Sequence, residues 1–238
     1  MKTIAIYGGS FNPIHYGHTN VAQYLINEKI ADEVHLMVAP SNPFKTSGSI
    51  DAFHRYNMCK LACEDLDKRI IVDNYQMVHF GHLQNCYSVD LFKRLIYEHS
   101  DTYNKEFRYS FVMGMDVFMK LFDFYCSEWF RWSELVDFIV MARPGYDNDK
   151  EINKWIHYVK ESSPKLHFRI ITEYSQYKAS STDIRERISF VYRNENWDTW
   201  LYEKDNGKEY LNTVINSKID PKVSRYIFEN RLYLTTLY

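Results

Sequence analysis

Apolar runs of strand type alternate along this chain with segments of helical period, and that alternation limits the fold more than any other feature. The strand-like runs are 3–7, 33–40, 69–73, 109–114, 137–143 and 165–172, and the helical segments are 18–29, 51–65, 88–100, 151–162, 181–192 and 221–233. Strands that alternate with helices favour a parallel sheet covered on both faces. The sequence therefore predicts a doubly wound α/β fold, whose ligands bind beyond the carboxyl ends of the strands.

The chain, 1–238, is predicted to form a single domain. Its 238 residues, of which 45% are apolar, suit one α/β domain with a sizeable core. The stretch 193–219 is polar and contains Asn-Gly, so it is predicted to be an insertion or lid rather than a second domain. Residues 221–233 are predicted to form a C-terminal helix.

Charge and composition exclude several classes of partner. The 29 basic and 31 acidic residues give a net charge of −2, so no basic field indicates binding to nucleic acid. No apolar run approaches about 18 residues and the first residues lack a secretory signal pattern, so we expect no membrane span and no export. The four cysteines form no C-x-x-C pair, which favours reduced thiols in a cytoplasmic protein. A homo-oligomer is left open.

The segment GGSFNPIHYGH, residues 8–18, follows the first predicted strand and has the composition of an anion-binding turn. Gly8 and Gly9 let the backbone turn sharply and approach a ligand. The helix that follows would direct its N–H groups toward the loop, which suits phosphate. His15 and His18, three residues apart, would project to one side and donate hydrogen bonds to a polyphosphate. A plain glycine turn would account for the glycines but not for both histidines.

A second segment, SSTDIR at 180–185, also fits phosphate chemistry. Ser180 and Asp183 form an S-x-x-D capping pattern at the start of a helix. That helix start, two hydroxyls and Arg185 would converge on an anion. Taken alone, the segment is explained equally well as a capped surface helix.

The two H-x-G-H pairs, His15/His18 and His79/His82, could together imitate a four-histidine zinc site. Zinc sites usually show tighter patterns of Cys, His or carboxylate ligands. We therefore expect a loop role for His79 and His82 and no metal held by the protein.

Residues 8–18 closely resemble the G-x-F-x-P-x-H-x-G-H signature of the HxGH nucleotidyltransferases, which transfer a nucleotidyl group from a nucleoside triphosphate to an acceptor. Further segments are similar, in order, to blocks of the bacterial-type nicotinate (nicotinamide) mononucleotide adenylyltransferases: PSNPFK (40–45) followed by Arg55 and Met58, CYSVDLFKRL (86–95), GMD (114–116), WFRWSELVDFIVMARPG (129–145), ASSTDIRERI (179–188) and KVSRYIFENRLY (222–233). The resemblance covers nearly the whole chain and implies a Rossmann-like nucleotidyltransferase fold.

The resemblance implies transfer of the adenylyl group of ATP to nicotinate or nicotinamide mononucleotide, with release of pyrophosphate, in NAD biosynthesis. Mg²⁺ is implied as a cofactor that arrives with ATP. Two alternatives stay open: another HxGH adenylyl- or cytidylyltransferase, such as one that acts on phosphopantetheine, and a non-catalytic nucleotide sensor with the same fold. The Trp129 block and SSTDIR speak against the first, and the retained motif histidines and Arg185 speak against the second.

The resemblance also implies roles for individual residues. The implied catalytic residues are His15, His18 and Arg185. ATP is implied to bind at Gly8, Gly9, Ser10, Phe11, Gly114, Asp116, Ser181 and Thr182. The mononucleotide is implied to bind at Asn42, Lys45, Tyr87, Ser88, Trp129, Phe130 and Arg143. The chain departs from the family pattern at Asn12, where bacterial members often have Asp, at Ala179 and at Ser88.

Overall fold

The structure, a computed structural model, describes residues 1–40, 49–81, 88–124, 135–142, 150–162, 164–174, 179–194 and 218–234. Its strands are β1 (Lys2–Gly9), β2 (Glu33–Val38), β3 (Ile70–Asp73), β4 (Phe107–Gly114), β5 (Asp137–Met141) and β6 (Phe168–Ile171). They form one sheet in the order β3-β2-β1-β4-β5-β6, and every neighbouring pair is parallel. The prediction of a doubly wound parallel sheet is confirmed.

The helices of the described ranges are α1 (Tyr16–Asn27), α2 (Ala52–Cys63), α3 (Tyr75–Phe80), α4 (Ser88–Glu98), α5 (Met115–Phe124), α6 (Lys150–Ser162), α7 (Ser181–Asn194) and α8 (Pro221–Glu229). Each segment of helical period forms a helix, although α8 ends at Glu229 rather than at 233. The periodicity of the sequence predicts neither α3 nor α5. Helix α3 has 6 residues, too few to show a period. Helix α5 follows β4 directly after Gly114, so its apolar residues read as a continuation of the strand.

The sheet separates two apolar layers. Ala5 and Ile6, adjacent in β1, belong to different layers because successive strand side chains point to opposite faces. Helices α1, α2, α7 and α8 cover one face, where Leu25 of α1 is fully buried. Helices α4, α5 and α6 cover the other face, where Phe92 of α4 is fully buried.

The carboxyl ends of β1 and β4 form the topological switch point of the sheet, because the chain order reverses between these two strands. Tyr7 pairs with Val112, so two residues further on Gly9 lies level with Gly114. A crevice of this kind is where doubly wound sheets bind their ligands. Gly9 and Gly114, one from each glycine-containing motif, therefore lie where the fold predicts a site.

The two ends of the predicted insertion lie in described parts of the chain. Helix α7 continues to Asn194, and Ile219 is fully buried in the layer covered by α1. Residues 195–217 lie outside the described residues, so the insertion and the single-domain organisation stay predictions. Among the helices that the structure describes, none combines the length and apolar character that crossing a bilayer requires.

Candidate functional site

The loop after β1 turns at Phe11. Its φ of 46° lies in the left-handed region, which a bulky residue rarely adopts. The buried Phe11 ring meets the rings of Tyr7 and His18 edge-on, at centroid distances of 5.7 and 5.1 Å. These contacts hold the unusual backbone conformation in place. The predicted turn at Gly8 and Gly9 is therefore wrong in position, because both glycines belong to β1.

Gly9 has a different structural reason to be glycine: the Phe11 ring packs against it and leaves no room for a Cβ. A Cβ on Gly9 would come within 2.9 Å of Phe11 Cζ, whereas a Cβ on Gly8 would meet Phe111 Cε2 at 3.4 Å, an ordinary contact. We expect Gly9→Ala to lower the free energy of unfolding by about 1–3 kcal/mol, the cost of overpacking. The matched control, Gly8→Ala, should change it by less than about 1 kcal/mol. Urea unfolding measures both, and equal effects would contradict the close approach of the ring to Gly9.

His15 and His18 lie face to face at the start of α1, which confirms that their spacing directs them to one side. Their rings stack with centroids 3.7 Å apart and an interplanar angle of 19°. His18 Nδ1 accepts a hydrogen bond of 3.2 Å from the backbone N–H of His15. Neutral His18 therefore carries its hydrogen on Nε2, and that N–H is the group it can donate to a ligand.

Burial keeps both imidazoles neutral. It lowers the pKa of His15 to about 4, and the charge of Lys218 contributes to the shift. It also lowers the pKa of His18 well below the ordinary value of 6.5, with His15 contributing. The pair therefore meets an incoming anion as hydrogen-bond donors and not as fixed charges.

The buried His15 predicts a loss of stability in acid. An unfolded imidazole takes up a proton below its ordinary pKa of 6.5, whereas folded His15 stays neutral down to about pH 4. The unfolded state thus binds more protons in this range, and the free energy of unfolding falls with the pH, by about 2 kcal/mol at pH 5 for this group. Urea unfolding at pH 7 and pH 5 compares the wild type with His15→Asn, which should lose about 2 kcal/mol less. Equal losses would contradict a buried neutral imidazole.

Side chains from two distant parts of the chain hold the loop by its oxygen atoms. Arg185 Nη1 donates to the carbonyl of Asn12 at 2.7 Å, and Ser181 Oγ donates to the carbonyl of Pro13 at 2.9 Å. The hydroxyl of Tyr233 donates to Asn12 Oδ1 at 2.8 Å. The first turn of α7 and the segment after α8 therefore both fix the loop, and Arg185 is buried against it.

Lys218 joins the starts of α1 and α7. Its carbonyl accepts a hydrogen bond of 3.0 Å from the N–H of Tyr16, and its Nζ lies 2.7 Å from Asp183 Oδ2. Two helix N-termini consequently meet beside the loop, where their N–H groups and positive dipole ends favour an anion.

Gly114 and Asp116 lie across the switch point from the loop, at the end of β4 and the start of α5. A Cβ on Gly114 would come within 2.8 Å of Asp116 Oδ1, so glycine leaves room for this carboxylate near the strand end. Asp116 is exposed, and its carboxylate is accessible to a ligand in the crevice.

The residues predicted to bind the mononucleotide lie mostly outside the described residues. This applies to Asn42, Lys45, Tyr87, Trp129, Phe130 and Arg143. Ser88 is the first residue of α4, so its backbone N–H lies at a helix start. The roles of all these residues stay predictions.

Among the described residues, no group of three or more His, Cys, Asp or Glu side chains is arranged to hold a metal ion. His79 lies in α3, so the loop expected at this residue is wrong, and the cause is again the shortness of that helix. His82 lies outside the described residues.

Arg55 and Tyr233 fall in segments that resemble the family, but the sequence predicts no role for either of them or for Lys218. Arg55 lies three and four residues before Met58 and Cys59, which are both buried, so its spacing puts it on the buried face of α2. A lone arginine on an apolar helix face is the signal that could have identified its buried position. Lys218 and Tyr233 carry no such signal, because each contacts a part of the chain that is remote in sequence.

A family model for cytidylyltransferase-like proteins matches residues 6–187. Two curated relatives, from Shewanella frigidimarina (strain NCIMB 400) and Bacteroides fragilis (strain YCH46), are both named "Probable nicotinate-nucleotide adenylyltransferase". The first is 29% identical over 199 residues, which cover 78% of this chain and 88% of the relative. The second is 32% identical over 189 residues, which cover 77% of this chain and 81% of the relative.

A solved structure agrees with these matches at the level of the fold. The Plasmodium falciparum nicotinic acid mononucleotide adenylyltransferase complexed with NaAD has a TM-score of 0.68 to this chain, with 100% of both chains covered and 22% identity. The range matched by the family model contains the loop after β1, both stacked histidines and Arg185. With its fold, loop and relatives in agreement, the chain belongs to the nicotinate-nucleotide adenylyltransferase family of the cytidylyltransferase-like proteins.

Proposed function

We propose that this chain transfers the adenylyl group of ATP to the 5′-phosphate of nicotinate mononucleotide, releasing pyrophosphate and forming nicotinate adenine dinucleotide for NAD biosynthesis. The observation that carries the proposal is the meeting of two helix N-termini and two neutral imidazoles at the loop beyond β1. The names of the relatives support the acceptor, and the Plasmodium falciparum enzyme is complexed with NaAD, the expected product.

The reaction depends on positioning and charge stabilisation. An oxygen of the acceptor's 5′-phosphate forms a bond to the α-phosphorus of ATP, and the bond from that phosphorus to the oxygen bridging it to the β-phosphorus breaks. The electron pair of the broken bond leaves with pyrophosphate. Because the attacking oxygen is already an anion, the step requires neither a general base nor a covalent enzyme intermediate.

His18 is proposed to stabilise the charge that develops on the phosphates. Its Nδ1 is occupied by the backbone N–H of His15, so Nε2–H is the donor. His15 stacks on the same ring and fixes its orientation. A donor that is held in place before the reaction stabilises developing charge without reorganisation during the step.

The first five residues of α7 are proposed to hold the part of the loop that faces the β- and γ-phosphates. Arg185 donates to Thr182 Oγ1 at 3.2 Å as well as to the carbonyl of Asn12, so it acts by fixing the loop and the hydroxyl together. The backbone of 8–11 is proposed to line the α-phosphate of the adenylyl group and the phosphates that follow it in ATP. Gly114 and Asp116 are proposed to contact the adenosine, since they lie on the other side of the switch point.

Mg²⁺ is proposed to enter with ATP. The described side chains that form hydrogen bonds with the loop do so through imidazole, hydroxyl and guanidinium groups, whereas Mg²⁺ prefers carboxylate and phosphate oxygens. Asp183, at the start of α7, already pairs with Lys218 at 2.7 Å and with Arg187 at 3.0 Å. These donors fit the phosphates of ATP and not the ion, so no protein ligand is assigned to it. When bound to ATP, the ion would neutralise phosphate charge.

We propose a cytoplasmic protein with small-molecule substrates and without nucleic acid or a membrane as partner. Cys59 and Cys63, one helical turn apart in α2, are unpaired thiols in the apolar core, as expected in a reducing compartment. The net charge of −2 agrees with substrates other than nucleic acid.

A panel of acceptors tests the proposal. Purified protein, ATP and Mg²⁺ are incubated with nicotinate mononucleotide, nicotinamide mononucleotide or phosphopantetheine, and pyrophosphate release is measured. We expect release with a pyridine mononucleotide and a dinucleotide of matching mass. Release with phosphopantetheine alone would assign another acceptor, and ATP binding without any release would indicate a nucleotide sensor.

A further inference from the structure

Arg55 lies in the first turn of α2, and its guanidinium is buried. The residue is only 1% exposed. All three guanidinium nitrogens donate to backbone carbonyls: Nε to Ile50 at 3.0 Å, Nη1 to Ser10 at 2.7 Å and Nη2 to Pro40 at 2.8 Å. Burying a cation is costly unless its donors are satisfied. Each guanidinium nitrogen has one carbonyl partner, so the guanidinium and the three segments fix one another.

The Ser10 carbonyl is the one that belongs to the loop after β1. The Ser10–Phe11 peptide is trans and planar, so the C=O of Ser10 and the N–H of Phe11 point in opposite directions. The carbonyl points at Arg55, inside the protein. The N–H of Phe11 therefore points away from Arg55.

The other two carbonyls hold the guanidinium itself. Pro40 follows β2, whose end is fixed to β1 by the hydrogen bond of 2.9 Å from the Ala39 N–H to the Gly9 carbonyl. Ile50 precedes Asp51, whose side chain caps α2 by accepting from the Phe53 N–H at 2.7 Å. A planar guanidinium can donate in three fixed directions at once, which a lysine ammonium at the end of a flexible stem cannot reproduce.

We infer that Arg55 is a positioning residue for the phosphates of ATP, which acts by holding the Ser10–Phe11 peptide so that the Phe11 N–H faces them. Arg55 does not touch the nucleotide in this role; it orients a backbone donor that does. The inference rests on the proposed function, since it concerns the ATP site of that reaction.

Calorimetric titration of Arg55→Lys with ATP, pyrophosphate and adenosine tests the inference. We expect the Kd of ATP and of pyrophosphate to rise about tenfold, because a misdirected donor weakens phosphate binding. The Kd of adenosine, which has no phosphate, should change by less than about twofold. Val159→Ala is the matched control: Val159 is fully buried in the opposite apolar layer, so its loss destabilises the fold without reaching the loop. Its Kd values should equal those of the wild type.

Nuclear magnetic resonance of the wild-type protein tests the same inference without a variant. The amide signal of Phe11 should shift when pyrophosphate is added and not when adenosine is added. An unshifted Phe11 amide would overturn the inference, and so would an Arg55→Lys protein that binds ATP as the wild type does or loses adenosine as strongly as ATP. A wild-type protein that binds ATP but releases no pyrophosphate with any acceptor would overturn the proposed function and leave the role of Arg55 intact.

Discussion

We expect the replacement of His18 by alanine to lower kcat by about a hundredfold or more, the scale for one preorganised donor to developing charge. The fold survives, because the lost contacts are an imidazole stack, an edge-on contact with Phe11 and one hydrogen bond from the His15 N–H, and no charged partner is left behind. Pyrophosphate release at saturating substrates measures kcat, and thermal unfolding checks the fold. Turnover near that of the wild type would remove His18 from the mechanism.

Two amide variants separate the two nitrogens of His18. In His18→Asn, the amide oxygen can take the place of Nδ1 and accept from the His15 N–H, but nothing reaches the position of Nε2. In His18→Gln, the longer side chain brings an amide N–H toward that position. We therefore expect the Gln variant to keep more turnover than the Asn variant. The reverse order would show that the bond to His15 matters and that the Nε2 donor does not.

We expect nicotinate mononucleotide to be used with a kcat/KM about ten- to a hundredfold higher than that of nicotinamide mononucleotide. The two acceptors differ only in the substituent on the pyridine ring. Nicotinate mononucleotide carries a carboxylate there, and nicotinamide mononucleotide carries a carboxamide. The resemblance implies that backbone N–H groups of Ser88 and Phe130 bind this substituent, and Ser88 opens α4, where an N–H has no partner within the helix. Such donors suit a carboxylate, whereas the nitrogen of an amide presents hydrogens to them. One mismatch costs about 1–3 kcal/mol, which corresponds to the expected ratio.

Two variants at Ser88 test whether the backbone makes this choice. Ser88→Ala keeps the N–H and should keep the preference for the acid. Ser88→Pro removes the N–H at the first position of α4, where proline is tolerated, and should reduce the preference to less than about threefold. The ratio of kcat/KM values at one pH and one Mg²⁺ concentration measures the effect. A wild-type preference for the amide, or a ratio near one, would contradict the inferred pocket.

The architecture of the sheet could be predicted because its signals are local. Val21 and Leu25 lie four residues apart and are both buried in α1, so periodicity alone shows which face points inward. The position of the loop was equally accessible, since the carboxyl end of the first strand is the switch point in a sheet of this order.

The way the loop is held could not be predicted, because its partners are remote in sequence. Arg55 and Ser10 are 45 residues apart, Arg185 and Asn12 are 173 apart, and Tyr233 and Asn12 are 221 apart. No local pattern contains both members of any of these pairs. The neutral state of the stacked histidines has the same origin, since it depends on burial by the completed fold.

The glycines show how composition alone can mislead. Gly8 and Gly9 suggest a sharp turn, but the left-handed residue is Phe11, and Gly9 is small because the Phe11 ring lies against it. Only the packed structure distinguishes these two reasons for a glycine.

The most direct test of adenylyl transfer is to label single phosphates of ATP with an isotope and to identify the product that contains each label. ATP labelled at its α-phosphorus is incubated with the protein, Mg²⁺ and nicotinate mononucleotide, and a parallel reaction contains ATP labelled at the γ-phosphorus. Attack at the α-phosphorus predicts that the first label appears in the dinucleotide and the second in pyrophosphate, with neither bound to the protein. Transfer of the γ-label to the acceptor, or an α-label retained covalently on the protein, would contradict direct adenylyl transfer at this site.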